Sequence, residues 1–175
     1  MGITVNVGGY RQNLRKVWAN AGGVKKELGE IRSNVGGVRQ IIFQNRERPA
    51  SLAWHYEDSA GESPQHSGSG FSVSNNKGKA LKYQHIVSDE FRLVGKWQII
   101  ATMWGISNGA GGLELIKSGA SAPVSVVSVS GADEGSGSVA ADTGTYRFRA
   151  GGSYGDQSGT YSSPYYIVLS FEEAE

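Results

Sequence analysis

No cysteine occurs among the 175 residues, so disulfide staples and thiolate metal sites are excluded. Long apolar runs are missing as well. Nowhere do about 18 apolar residues follow one another, and no basic-then-apolar leader opens the chain, so neither a membrane span nor a secretory signal is expected. Both absences suit synthesis in a cytosol. Apolar residues supply 38 % of the chain and charged residues 19 %, each below the usual share of a globular domain. Glycine and serine fill the gap, with 26 glycines, and they favour short strands joined by many turns. The length allows one domain, or a short assembly segment followed by a domain of roughly 130 residues.

Net charge is only +1, but it is unevenly placed. Residues 1–48 carry nine Lys or Arg against Glu27, Glu30 and Glu47, a net of +6, while the remainder carries eight bases against thirteen acids, a net of −5. A basic first segment suits an acidic partner surface. The bases also recur in phase with a repeat, which suits a solvated face, and nucleic acid is not expected as the partner.

That repeat is one phrase written three times: ITVNVGGYRQNL from Ile3, VWANAGGVKKEL from Val17 and IRSNVGGVRQII from Ile31, at a constant period of 14 residues. Four apolar phases align, as Ile3/Val17/Ile31, Val7/Ala21/Val35, Tyr10/Val24/Val38 and Leu14/Leu28/Ile42. Asn6, Asn20 and Asn34 share another phase, and the pairs Gly8-Gly9, Gly22-Gly23 and Gly36-Gly37 follow them. A unit this short cannot bury its own apolar face, so it must stack on its neighbours or on other copies of the chain.

The apolar phases fall alternately four and three residues apart, the spacing of a coiled coil. Against a helix stand the glycine pairs. Each Gly costs about 1 kcal/mol relative to Ala inside a helix, so three pairs cost on the order of 6 kcal/mol. Ile3-Thr4-Val5-Asn6-Val7 alternates apolar and polar residues with several β-branched types, as a half-buried strand does. Asn followed by Gly-Gly suits a turn that needs positive φ. Each repeat is therefore expected to form a strand, a glycine turn and a second strand, six short strands by Phe43. Their open edges need covering, either by symmetric association, with a homotrimer favoured, or by closure of the three repeats on themselves as one pseudo-symmetric unit.

The phrase VNVGG followed by a hydrophobe and a base, repeated near an N-terminus over roughly residues 2–43, resembles the short repeats in structural proteins of tailed bacteriophages, in tail fibres, tail tips and small virion appendages. Where those repeats often carry Trp after Gly-Gly-Val, this chain carries Arg11, Lys25 and Arg39. The resemblance implies a non-enzymatic virion component built from identical copies, made in the host cytoplasm and bound to other virion proteins through its basic repeats.

Gln44-Asn45-Arg46-Glu47-Arg48-Pro49 is polar and ends in Pro, a linker between repeats at 1–45 and a domain over 50–175. The domain shows no helix pattern. Strands are expected at 52–57, 70–74, 81–87, 91–93, 97–106, 113–117, 124–129, 145–150 and 165–172, separated by Gly/Ser/Asn punctuation such as Asn108-Gly109-Ala110-Gly111-Gly112 and Gly135-Ser136-Gly137. The fold class is all-β, with the glycine-turn repeats followed by an antiparallel β-sandwich or jelly roll. Val124-Ser125-Val126 and Tyr146-Arg147-Phe148-Arg149 should each turn one face to the core. The nearly continuous apolar run from Tyr165 to Leu169 is expected to be central and buried on both faces, or to lie at a subunit contact.

Chemistry-bearing motifs are sparse, and no cofactor or metal is expected. Gly151-Gly152-Ser153-Tyr154-Gly155 matches the G-x-S-x-G nucleophile elbow, but that elbow needs a strand-to-helix turn, and the residues that follow suggest a glycine loop. His55, His66 and His85 lack the close pairing of metal ligands. Asp133-Glu134 is expected in a solvated loop. Trp97 and Trp104, on one β segment, are assigned to the core. Tyr154, Asp156, Gln157 and Tyr161, in an expected polar loop, are candidates for contact with a receptor or a host surface glycan. The rival readings are a capsid decoration protein clamped by its basic segment, a carbohydrate-binding module and a hydrolase using Ser153.

Overall fold

A computed structural model describes residues 3–7, 10–14, 17–21, 24–28, 30–35, 38–44, 46–59, 62–66, 71–77, 82, 84–106, 109–131, 134–156, 159–162 and 164–174. The chain divides into two compact units, Met1–Glu47 and Arg48–Glu175. No α-helix occurs among the described residues, and none of their elements is a helix long and apolar enough to cross a membrane.

In the first unit each repeat is a hairpin. Strands β1 (Ile3–Val7) and β2 (Tyr10–Leu14) pair, as do β3 (Val17–Ala21) with β4 (Val24–Leu28) and β5 (Glu30–Val35) with β6 (Val38–Gln44). Val7 faces Tyr10, Ala21 faces Val24 and Val35 faces Val38 across the turns. Only two residues lie between the strands of each pair, the length that Gly-Gly hairpins favour. The turn glycines themselves, Gly8, Gly9, Gly22, Gly23, Gly36 and Gly37, lie outside the described residues. At the open ends Ile3 faces Leu14 and Val17 faces Leu28, so the aligned apolar phases stand directly opposite one another. The third repeat departs from the pattern: Ile31 faces Phe43 and Arg32 faces Ile41, which makes Ile42 the extra residue of a β-bulge rather than the partner that the period assigns it. Among the described residues each hairpin is a sheet of two strands, with no ladder to another repeat.

The second unit is an antiparallel β-sandwich. One sheet runs in the order β14 (Val124–Ser130), β13 (Gly109–Lys117), β16 (Gly144–Asp156), β10 (His85–Ser88) and β7 (Trp54–Tyr56). The 13-residue β16 is its spine, pairing along one edge with β13 and along the other with β11 (Phe91–Leu93), β10 and β17 (Gly159–Ser162) in succession. The facing sheet runs β15 (Glu134–Ala141), β12 (Trp97–Trp104), β18 (Tyr165–Glu173), β9 (Ser72–Asn75) and β8 (Gln65–His66). Alternation produces the core, as the sequence of β16 predicts: Tyr146, Phe148 and Ala150 are buried while Arg147 is exposed between them. Phe148 stacks on Trp54 and Phe91 and meets Phe171 of the opposite sheet edge-on.

Period two also separates residues that the sequence reading put together. Trp97 and Trp104 are seven positions apart, an odd number, so they take opposite faces of β12; Trp97 is buried and Trp104 stands half-buried on the outer face. The run from Tyr165 lies inside its sheet but is buried on one face only. Tyr165, Ile167 and Leu169 point inward, whereas Tyr166 and Val168 are 41 % and 40 % exposed. In the edge strand β14, Val124 is 51 % exposed, and a register shift opposite Leu113 and Glu114 turns the adjacent Val126 and Val127 both into the core.

Tyr165 ties the two sheets together. Its hydroxyl, at the start of β18, lies 3.3 Å from both Gln84 O and Ala150 O and shares its proton between them. Nearby, Tyr56 donates to Asn75 Oδ1 at 3.2 Å. Burial pushes the Tyr165 phenol well above its ordinary value. The folded chain therefore holds this proton more tightly than the unfolded chain does, so the stability that Tyr165 contributes is complete below about pH 10 and is lost as pH rises beyond it. Guanidinium unfolding at neutral pH and near pH 11 measures this. Tyr165→Phe is expected to cost about 1 kcal/mol at neutral pH and to make the alkaline loss shallower; an unchanged alkaline slope would exclude Tyr165 as its source.

Candidate functional site

Four glycines meet where β13 crosses the spine, Gly111 opposite Gly152 and Gly112 opposite Gly151. Strands normally avoid glycine, and its presence in a ladder marks close approach by something else. On the inner face the cause is packing: a Cβ on Gly111 would lie 2.1 Å from Ile106 Cδ1, and one on Gly152 would lie 2.8 Å from the Tyr165 ring. On the outer face His85 lies across Gly151, with its Cδ2 2.5 Å from where a Cβ would be. The result is a hollow of about 330 Å³ in the outer face of the seven-stranded sheet, floored by glycine and Ala110 and walled by His85, Glu114, Ser128 and Arg149.

The walls carry an ion network. Arg149 Nε donates to Glu57 Oε2 at 2.8 Å. Arg149 Nη1 stands 4.0 Å from Glu114 Oε2, and His85 Nδ1 stands 3.8 Å from Glu57 Oε2. These last two separations are too long for direct hydrogen bonds. Burial first, and then the Arg149 charge, hold the His85 imidazole below its ordinary value. At neutral pH it is an uncharged donor and acceptor, and the stability linked to it falls as pH drops below about 6.5.

No protein-family model, curated protein or solved structure matches this chain.

Ser153 lies inside β16 at the rim of the hollow and not on a strand-to-helix turn, so the elbow geometry is absent. The expected glycine loop at 151–155 is continuous strand, because β13 and β17 pair along it. The expected receptor loop is likewise a hairpin: Tyr154 faces Tyr161 and Asp156 faces Gly159 across β16 and β17. Gln157 and the side chains of Tyr154, Asp156 and Tyr161 lie outside the described residues. His55 approaches Asp89 at 3.6 Å on the surface, the His66 side chain is outside the described residues, and no group of three His, Asp or Glu among the described residues could hold a metal. Asp133 lies outside the described residues, while Glu134 opens β15 instead of sitting in a loop.

The sequence reading missed the hollow because its glycines looked like punctuation. The signal was the in-strand position of Gly111-Gly112 and Gly151-Gly152, each pair beside residues with strand periodicity. It missed also the aromatic pair on the outer face of the other sheet, where half-buried Trp104 stacks on Tyr166 at 5.7 Å.

Proposed function

We propose that this chain is a non-enzymatic structural subunit of a virion, of the tail-fibre, tail-tip or appendage kind. Its N-terminal hairpins assemble copies or attach them to other virion proteins, and its sandwich is displayed outward. The observation that carries the reading is the run of three hairpins in strict 14-residue phase, each a separate sheet of two strands. An isolated hairpin is marginal in water, and six short strands leave edges that other copies can cover. Three-fold association supplies that cover symmetrically.

Light scattering after size exclusion, on the whole chain and on residues 50–175, tests this. The whole chain is expected at three times its monomer mass and the truncated chain as a monomer. Two monomers would overturn the trimer.

The charge asymmetry favours a second reading, a decoration protein whose +6 segment clamps an acidic capsid. Capsid binding that weakens steeply with added salt is its signature.

A further inference from the structure

We propose that the hollow over Gly112 and Gly151 binds one neutral saccharide unit, held by hydroxyl groups that close the gaps from Arg149 to Glu114 and from His85 to Glu57. This goes beyond the assembly reading and does not depend on it. The gaps measure 4.0 Å and 3.8 Å. A hydroxyl oxygen about 2.8 Å from each side spans either gap, accepting from the nitrogen and donating to the carboxylate. At the first gap the guanidinium is already fixed through its Nε by Glu57, so its remaining N–H donors are oriented before any ligand arrives.

Charge selects the ligand class. The single Arg149 stands between Glu57 and Glu114, so an anion finds its positive charge already compensated, and a cation must compete with a guanidinium. A neutral polyol meets neither obstacle and uses donors and acceptors together. Size agrees: about 330 Å³ is near the lower end of the range of roughly 300–1,000 Å³ for small-molecule sites. The floor is backbone and Ala110, so a sugar ring can settle close to the sheet, and the mouth is open to further residues of a glycan.

The test uses the full chain, isotope-labelled for amide NMR, titrated separately with the methyl glycosides of glucose, galactose, mannose and N-acetylglucosamine, and with inorganic phosphate. At least one glycoside should give saturable shifts centred on Gly111, Gly112, Gly151 and Gly152. Arg149→Met should weaken that binding about tenfold or more. Ala110→Gln, which fills the hollow from an exposed position and leaves the ion network in place, should abolish it while the rest of the spectrum stays native. The proposal is overturned if no glycoside saturates, if phosphate binds there instead, if Ala110→Gln binds as the parent does, or if the shifts centre on the Tyr154–Tyr161 hairpin. None of these outcomes alters the solution mass, so this inference and the assembly reading fail separately.

Discussion

Phe148→Ala is expected to remove about 4 kcal/mol from the unfolding free energy of the sandwich. Phe148 has no exposed surface and sits mid-way along the spine strand β16. Its ring centroid is 5.1 Å from that of Phe91, 6.1 Å from Trp54 and 6.3 Å from Phe171. Truncation therefore loses the burial of the ring and three aromatic contacts, two within its own sheet and one across the core. The surrounding residues cannot collapse easily into the space, because each is fixed by a ladder of its own: Trp54 by β10, Phe91 by β16 and Phe171 by β12. A domain of this size has about 5–15 kcal/mol in all, so the variant is left near the edge of folding. Urea unfolding should show a lower midpoint at an unchanged slope. A loss under about 1 kcal/mol would mean that the two sheets do not depend on this aromatic cluster.

Much of this architecture was legible in the chain because one face of each strand is apolar and the other is not. The alternation Tyr146-Arg147-Phe148-Arg149 marks an inward and an outward face without ambiguity, and β11 coincides with its expected span, Phe91–Leu93. The repeats were legible for a different reason: a fixed period exposes the hairpin unit even where single residues are uninformative, although only pairing register shows that Ile42 is a bulge residue. Continuous apolar runs were harder. Tyr165 to Leu169 carries no alternation, so its sequence could not distinguish a strand buried on two faces from one with Tyr166 and Val168 left outside. Short strands such as β8 and β17 escaped because they have little apolar content and are defined by their neighbours.

The site was least legible, and for a physical reason. Its geometry depends on which strands lie side by side. Arg149, Glu57 and Glu114 are scattered along the chain, and only the order β13-β16-β10-β7 brings them to one face. Its floor is made of residues without side chains, which carry no hydropathy pattern at all. Glycine has two opposite meanings in a β protein: in turns it supplies backbone freedom, and in strands it makes room for a neighbour. Composition cannot separate the two. The glycines at 111–112, 135–137 and 151–152 all belong to the second kind.

Gly137 is where that second meaning has its largest consequence. It lies in β15, the edge strand of one sheet, paired with Ala101 of β12. A Cβ built on it would stand 2.0 Å from Val126 O and 3.0 Å from Val126 C in β14, the edge strand of the other sheet. The two sheets thus approach at this side backbone to backbone, without a layer of side chains between them. Two residues earlier the neighbour is a side chain instead: the Cβ position of Gly135 lies 2.8 Å from Val129 Cγ2. On an open strand Gly→Ala would be neutral or would stabilise by about 0.5–1 kcal/mol, through lost freedom in the unfolded chain. Here the clash is with backbone, which has no rotamer to yield, so Gly137→Ala is expected to reverse that sign and destabilise by about 3 kcal/mol. Ser138→Ala, on the exposed face of the same strand, is the control and should stay within about 0.5 kcal/mol of the parent. Thermal unfolding of the two variants decides the matter. A Gly137→Ala chain as stable as Ser138→Ala would mean that the β14 and β15 edges stand further apart, and that the sandwich is open on this side.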